Sequence, residues 1–103
     1  MKVIWSKRAL NAVRKTSRYI KDNFGLKAQT KFLNEISHAD SLLQTNPQIG
    51  KIEPLLDDLP EMYRSLLITH LNKVVYRMDG DNIYIVTIWD ARRDPITLAE
   101  QLN

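Results

Sequence analysis

The chain has 103 residues, 44% hydrophobic and 26% charged, which predicts one domain, residues 1–103, with a core of its own. It has no cysteine, so a disulfide framework and a thiolate metal site are excluded, and no motif indicates a metal or a cofactor. No apolar run is long enough to span a membrane, and Lys7 and Arg8 interrupt the N-terminus too early for a signal peptide. We therefore expect a cytoplasmic protein without a membrane partner.

The net charge of +3 is distributed unevenly along the chain. Residues 1–31 carry nine lysines and arginines against one acid, whereas residues 32–63 carry one lysine against six acids. Such asymmetry is typical of proteins that bind an acidic or polyanionic partner. The alternative is a helix face whose cations contact only solvent.

The N-terminus predicts a short strand followed by an amphipathic helix. Val3, Ile4 and Trp5 form the apolar run of the strand, and Ser6 has the hydroxyl that a helix N-cap needs. One stripe then recurs at helical spacing, formed by Leu10, Val13, Ser17, Ile20 and Phe24. Gly25 is a suitable residue for the end of this helix.

A second helix is expected from about Ala28 to about Thr45. Its inward face consists of Ala28, Phe32, Ile36, Ala39 and Leu43. The helix should end at Asn46, because Pro47 disfavours the α conformation in the residue before it. The link between the helices is short, so they should pack as an antiparallel hairpin. Residues 46–62 are rich in proline and are expected to form a surface loop.

The remaining strands centre on a predicted β-hairpin over residues 72–89. A strand from Met62 to about Thr69 precedes it. Val, Ile, Tyr and Thr dominate both arms of the hairpin, as they do in pleated, half-buried strands. Asp79-Gly80 between the arms favours a primed turn, because glycine adopts positive φ without strain.

The two sides of the first arm differ in polarity. One side is apolar, with Val74, Tyr76 and Met78. The other side carries the cations Lys73 and Arg77 beside Val75. We therefore predict an α+β fold with the order β-α-α-β-β-β, in which an antiparallel sheet carries the helical hairpin on its apolar face and leaves an open, basic face.

Four stretches of the chain carry a family resemblance. They are Val3-Ile4-Trp5-Ser6, Tyr63-Arg64-Ser65-Leu66, Val75-Tyr76-Arg77-Met78-Asp79-Gly80-Asp81 and Trp89-Asp90-Ala91-Arg92-Arg93-Asp94-Pro95. In this order and at this chain length they resemble the RelE/ParE superfamily of toxins from bacterial toxin–antitoxin modules. The resemblance implies a small toxin that a cognate antitoxin holds inactive. RelE-like members cleave mRNA in the ribosomal A site, and ParE-like members poison DNA gyrase.

A ribonuclease of the RelE-like branch needs proton donors and acceptors together with cations that stabilise the charge on the phosphate. The resemblance places Arg64, Lys73 and Arg93 at catalytic positions of that branch. Two further positions depart from its pattern, since Leu66 replaces a lysine and Ala99 replaces a tyrosine. The late histidine of the YoeB-like ribonucleases is also missing from this sequence.

These departures favour the ParE-like branch, in which the toxin binds DNA gyrase and needs no acid–base set. Arg77 and Arg92 are then the candidate target-binding residues. The alternatives are a ribosome-dependent mRNA endonuclease and a degenerate member that binds its antitoxin but is no longer toxic. In each case we expect a cognate antitoxin over the basic sheet face or in a groove near the helical hairpin. A homodimer and a heterotetramer with the antitoxin are the assemblies that the resemblance implies.

Overall fold

A computed structural model describes residues 1–69 and 72–90. In chain order the elements are β1 (Lys2–Trp5), α1 (Lys7–Phe24), α2 (Leu26–Thr45), β2 (Lys51–Ile52), a 3₁₀ turn (Pro54–Leu56), β3 (Arg64–Leu67), β4 (Asn72–Asp79) and β5 (Asn82–Asp90). The predicted order of helices and strands is confirmed, and β2 is an additional strand inside the expected loop. The predicted charged exit and final helical turns, residues 91–103, lie outside the described residues.

The five strands form one sheet in the order β1-β5-β4-β3-β2. Neighbours among β2 to β5 are antiparallel, but β1 runs parallel to β5, with Val3 opposite Ile83 and Trp5 opposite Ile85. The prediction of a purely antiparallel sheet is therefore wrong at this edge. Parallel neighbours need a long connection between them, and nearly the whole chain separates β1 from β5.

α1 begins at a side-chain cap, as predicted. The Ser6 Oγ accepts a hydrogen bond from the backbone N of Ala9 at 2.9 Å. Ala9 is fully buried, whereas Leu10 and Phe24 of the predicted stripe are 43% and 69% exposed. The side of α1 that faces the sheet is therefore the side that carries Ala9. The small side chain of Ala9 lets the helix approach the sheet closely.

α2 begins directly after Gly25, earlier than predicted, because the positive φ of that glycine (95°) reverses the chain within one residue. Its buried residues are Phe32, Ala39 and Leu43. The helix ends where expected, with the backbone N of Asn46 donating to the Leu42 carbonyl at 2.8 Å. No helix in the described residues is both long enough and apolar enough to cross a membrane.

The β4–β5 hairpin turns at Gly80 and Asp81, one residue later than predicted, because Asp79 pairs with Asn82. Gly80 has a φ of 60°, and Asp81 is not among the residues with positive φ. Positive φ at the first central residue alone is the pattern of a type II′ turn. The predicted primed turn is therefore confirmed, with glycine in the first central position.

The sheet face that α1 and α2 cover contains the main core. Buried side chains from both layers meet there: Ala9, Ala39, Leu43, Val74, Tyr76, Ile83, Ile85 and Ile88. The predicted apolar side of β4 is confirmed at Val74 and Tyr76, while Met78, near the turn, is 36% exposed.

A β-bulge in β5 determines which side chains face each side of the sheet. The register shifts between Val75 and Tyr76 of β4, so that Val86 of β5 has no residue opposite it. Beyond the bulge Ile88 joins the main core, and Trp89 packs on the opposite side of the sheet. The bulge therefore supplies an aromatic side chain to the face away from the helices.

Candidate functional site

The sheet face opposite the helices, which we term the non-helical face, carries two of the cations that the sequence placed there. Lys73 lies opposite Trp89 in the β4–β5 pairing, and Arg77 lies opposite Tyr84. Their side chains are only 15% and 25% exposed. The predicted grouping of Lys73 with Arg77 is confirmed, but the face is not open.

Residues 53–63, which we term the covering segment, lie over this face. Leu56 and Tyr63 of the segment pack with Val75 and Trp89 into a second buried cluster. None of these four residues is more than 6% exposed. The prediction of a surface loop is wrong here, because the segment buries apolar side chains that a bare sheet face would leave in water.

Glu53, at the start of the covering segment, binds Lys73. Its Oε2 accepts a hydrogen bond from Ser65 Oγ at 2.6 Å and lies 2.8 Å from Lys73 Nζ. Its backbone N donates to the Tyr63 carbonyl at 2.9 Å, and the residue is only 3% exposed. A buried carboxylate is tolerated only when it is paired and hydrogen-bonded, so Lys73 acts as the counter-ion of Glu53.

Arg77 also faces acids of its own chain. Its Nε lies 3.6 Å from Glu61 Oε2, its Nη1 lies 3.9 Å from Asp79 Oδ2, and its guanidinium lies 5.3 Å from the centre of the Tyr84 ring. The Tyr63 hydroxyl donates to the same Glu61 oxygen at 2.8 Å. Burial, together with this contact to Glu61, raises the pKa of Tyr63 above its ordinary value.

Arg64 does not lie with Lys73. It pairs with Tyr76, so its side chain is on the helical side of the sheet, where its Nη1 donates to the Gly50 carbonyl at 2.9 Å. The Tyr76 hydroxyl donates to the Pro47 carbonyl at 2.8 Å and accepts from the Gly50 N at 2.9 Å. Grouping Arg64 with Lys73 in one site is therefore wrong, because strand alternation places them on opposite faces. Arg64 instead holds the loop that follows α2.

The remaining predicted site residues, Arg92 and Arg93, lie outside the described residues. Within the part of the chain that the structure describes, no group of His, Asp and Glu side chains could hold a metal ion. The described histidine, His38, lies on the exposed side of α2. The described part of the non-helical face thus offers ion pairs and hydroxyls.

A cleft of about 640 Å³ lies between α1 and the adjoining ends of β4 and β5. Residues from both layers line it, among them Arg8, Asn11, Lys15, Tyr19, Asn72 and Asp90. The sequence indicated a cationic side of α1, but not this cleft, because its other wall depends on the position of β5. Arg8 and Tyr19 are residue types that are enriched at protein–protein interfaces.

The family model of the ParE toxin of the type II toxin–antitoxin system parDE matches residues 3–95. Among solved structures, the chromosomal ParDE system from P. aeruginosa is similar, at 20% identity and a TM-score of 0.71, over 87% of this chain and 95% of that one. A YoeB/ParE toxin from Agrobacterium tumefaciens is similar at 19% identity and a TM-score of 0.58, over 87% and 98% of the two chains.

The heterotetrameric YoeB–YefM toxin–antitoxin complex from Staphylococcus aureus contains a similar chain, at 24% identity and a TM-score of 0.54, over 84% and 92% of the two chains. At these identities the structures establish the fold. Among curated protein sequences, none matches this chain significantly. The family model spans most of the chain, and the fold agrees with it. The chain therefore belongs to the ParE toxin family, the toxin component of type II toxin–antitoxin systems, which an antitoxin neutralises.

Proposed function

We propose that this toxin arrests bacterial growth in the cytoplasm by binding DNA gyrase, and that it does not cleave mRNA. The family assignment supports a toxin, and the choice of target depends on Lys73. A ribonuclease centre needs cations directed at the phosphate and groups that transfer protons. Lys73 instead contacts the buried Glu53 carboxylate at 2.8 Å. A toxin that acts by binding needs no such set.

The position of Arg64 supports the same proposal. Its guanidinium is hydrogen-bonded to the Gly50 carbonyl on the helical side of the sheet. A substrate phosphate at Lys73 would be separated from Arg64 by the sheet itself. The two residues therefore do not form a pair of cations around one phosphate.

We also propose a cognate antitoxin as the partner, in a heterotetramer. The YoeB–YefM toxin–antitoxin complex, which contains a chain of similar fold, is heterotetrameric. Co-expression with the protein encoded by the neighbouring reading frame, followed by light scattering, tests this assembly. A complex with one copy of each chain would contradict the heterotetramer.

The gyrase proposal is tested by adding the purified chain to gyrase and relaxed plasmid. We expect inhibited supercoiling or accumulated cleaved complexes, and reversal of both by the antitoxin. Toeprinting on translating ribosomes is the control for the alternative target and should show intact messages. Cuts in the ribosomal A site, with gyrase unaffected, would contradict the proposal and favour the endonuclease.

A further inference from the structure

We infer that the tip of the helical hairpin is the surface through which this toxin contacts its target, and that it binds an acidic segment with apolar side chains. The inference rests on the proposed function, in which the toxin acts by binding. We term Tyr19, Phe24 and Leu26 the tip patch. It lies around the turn where α1 ends and α2 begins.

The tip patch exposes large apolar side chains to solvent. Phe24 is 69% exposed, Leu26 is 65% exposed and Tyr19 is 57% exposed. The rings of Tyr19 and Phe24 meet edge to face, with their centres 6.4 Å apart. Adjoining exposed aromatic and aliphatic side chains of this size are typical of protein-binding surfaces rather than of ordinary solvent-exposed ones.

Phe24 and Leu26 also border a groove of about 1130 Å³ along one side of α2. Ala28 lies in its lining, and Glu35 lies further along the helix. Phe24, Leu26 and Ala28 therefore give this groove an apolar lining.

The charge around the tip patch selects an acidic occupant. Lys21, Lys27 and Lys31 surround it in sequence, and Lys27 and Lys31 line the groove. No ion pair joins these three lysines to any other described side chain. A symmetric contact between the tips of two copies would bring the same cations together, which disfavours a tip-to-tip dimer. An acidic partner segment with apolar side chains complements both features.

The test compares two double variants with two matched controls in the full-length chain. Phe24→Ser with Leu26→Ser removes the apolar tip, and Lys27→Glu with Lys31→Glu reverses the charge. Ile52→Ser and Lys51→Glu, at exposed residues of β2, are the controls. Circular dichroism verifies the fold of each. Affinities for gyrase and for the antitoxin are measured at low and at high salt.

We expect both tip variants to bind gyrase at least about tenfold more weakly, and to retain antitoxin binding, while the controls match the wild type. Added salt should weaken wild-type binding more than that of the charge-reversed variant. Unchanged gyrase affinity in folded tip variants would overturn the inference, as would loss of antitoxin binding alone.

If the wild-type chain does not bind gyrase, the proposed function fails, and growth arrest on induction becomes the readout for the tip. Loss of arrest in the folded tip variants would then support the tip as the contact for a different target. Full arrest in those variants would overturn the inference.

Discussion

Lys73 Nζ lies 2.8 Å from Glu53 Oε2, on the sheet face that is turned away from the helices. The side chains of the two residues are 15% and 3% exposed, so the pair lies inside the protein. The cation that a RelE-like ribonuclease would direct at its substrate is therefore a structural partner in this chain. Replacing Lys73 should therefore lower the stability of the fold.

Replacing either member of this pair should destabilise the fold by about 3–5 kcal/mol, because the other charge is left buried without a partner. Glu53→Met and Lys73→Met are compared with the double variant by urea unfolding. We expect the double variant to lose less stability than the two single losses combined. Strictly additive losses would contradict the structural role of the pair.

Arg77→Met is the matched control for these variants. The partner of Arg77, Glu61, has a side chain that is 53% exposed. Solvent screens such a pair, so its loss should cost less than about 1 kcal/mol. If Arg77→Met lost as much unfolding free energy as Lys73→Met, burial would not explain the difference between the two ion pairs.

Gly50→Ala should destabilise the protein by about 1–3 kcal/mol, because the core has no room for the added methyl group. A Cβ at this position would lie 2.6 Å from the Ser65 carbonyl oxygen and 2.7 Å from the Tyr76 hydroxyl. Gly80→Ala is the control, since its Cβ would meet open space and only the positive φ is strained. Thermal unfolding measures both, and wild-type stability for Gly50→Ala would disprove the close packing.

Stability should fall as the solution becomes strongly alkaline. Burial raises the pKa of Tyr76 in the folded state, and burial with Glu61 does the same for Tyr63. A raised folded pKa means that the folded protein keeps the proton longer. The resulting stability is present below roughly pH 10 and is lost as the pH rises through the folded pKa values.

Thermal unfolding across this pH range, with tyrosine ionisation followed by ultraviolet absorbance, measures the effect. The Tyr76→Phe variant should show a shallower alkaline decline than the wild type. It should also be less stable at neutral pH by about 1–3 kcal/mol, because the Gly50 N and the Pro47 carbonyl lose their hydrogen-bond partner. An identical alkaline decline in the variant would exclude a contribution from Tyr76.

Local patterns in the sequence were sufficient for much of the fold. Ser6 caps α1 because a hydroxyl precedes a helical stripe, and Gly80 sits in the hairpin turn because positive φ favours glycine. Alternation along β4 also placed Val74 and Lys73 on opposite faces. Each of these depends on residues that are close together in the chain.

The missed features depend on contacts between distant segments. The pairing of β1 with β5 joins the two ends of the described chain, and the side of Arg64 depends on the register between β3 and β4. The covering segment looked like a loop, because its prolines and acids obscure the burial of Leu56 and Tyr63. Glu53 was missed because its partner, Lys73, lies in β4, 20 residues further along the chain.

The most direct test of the central claim uses the double variant Glu53→Met with Lys73→Met, in which both charges of the pair are absent. Its inhibition of gyrase supercoiling is measured beside that of the wild type, with the fold verified by circular dichroism. Undiminished inhibition is the predicted result, because the pair stabilises the protein and does not contact the target. Loss of inhibition in the folded double variant would contradict the account.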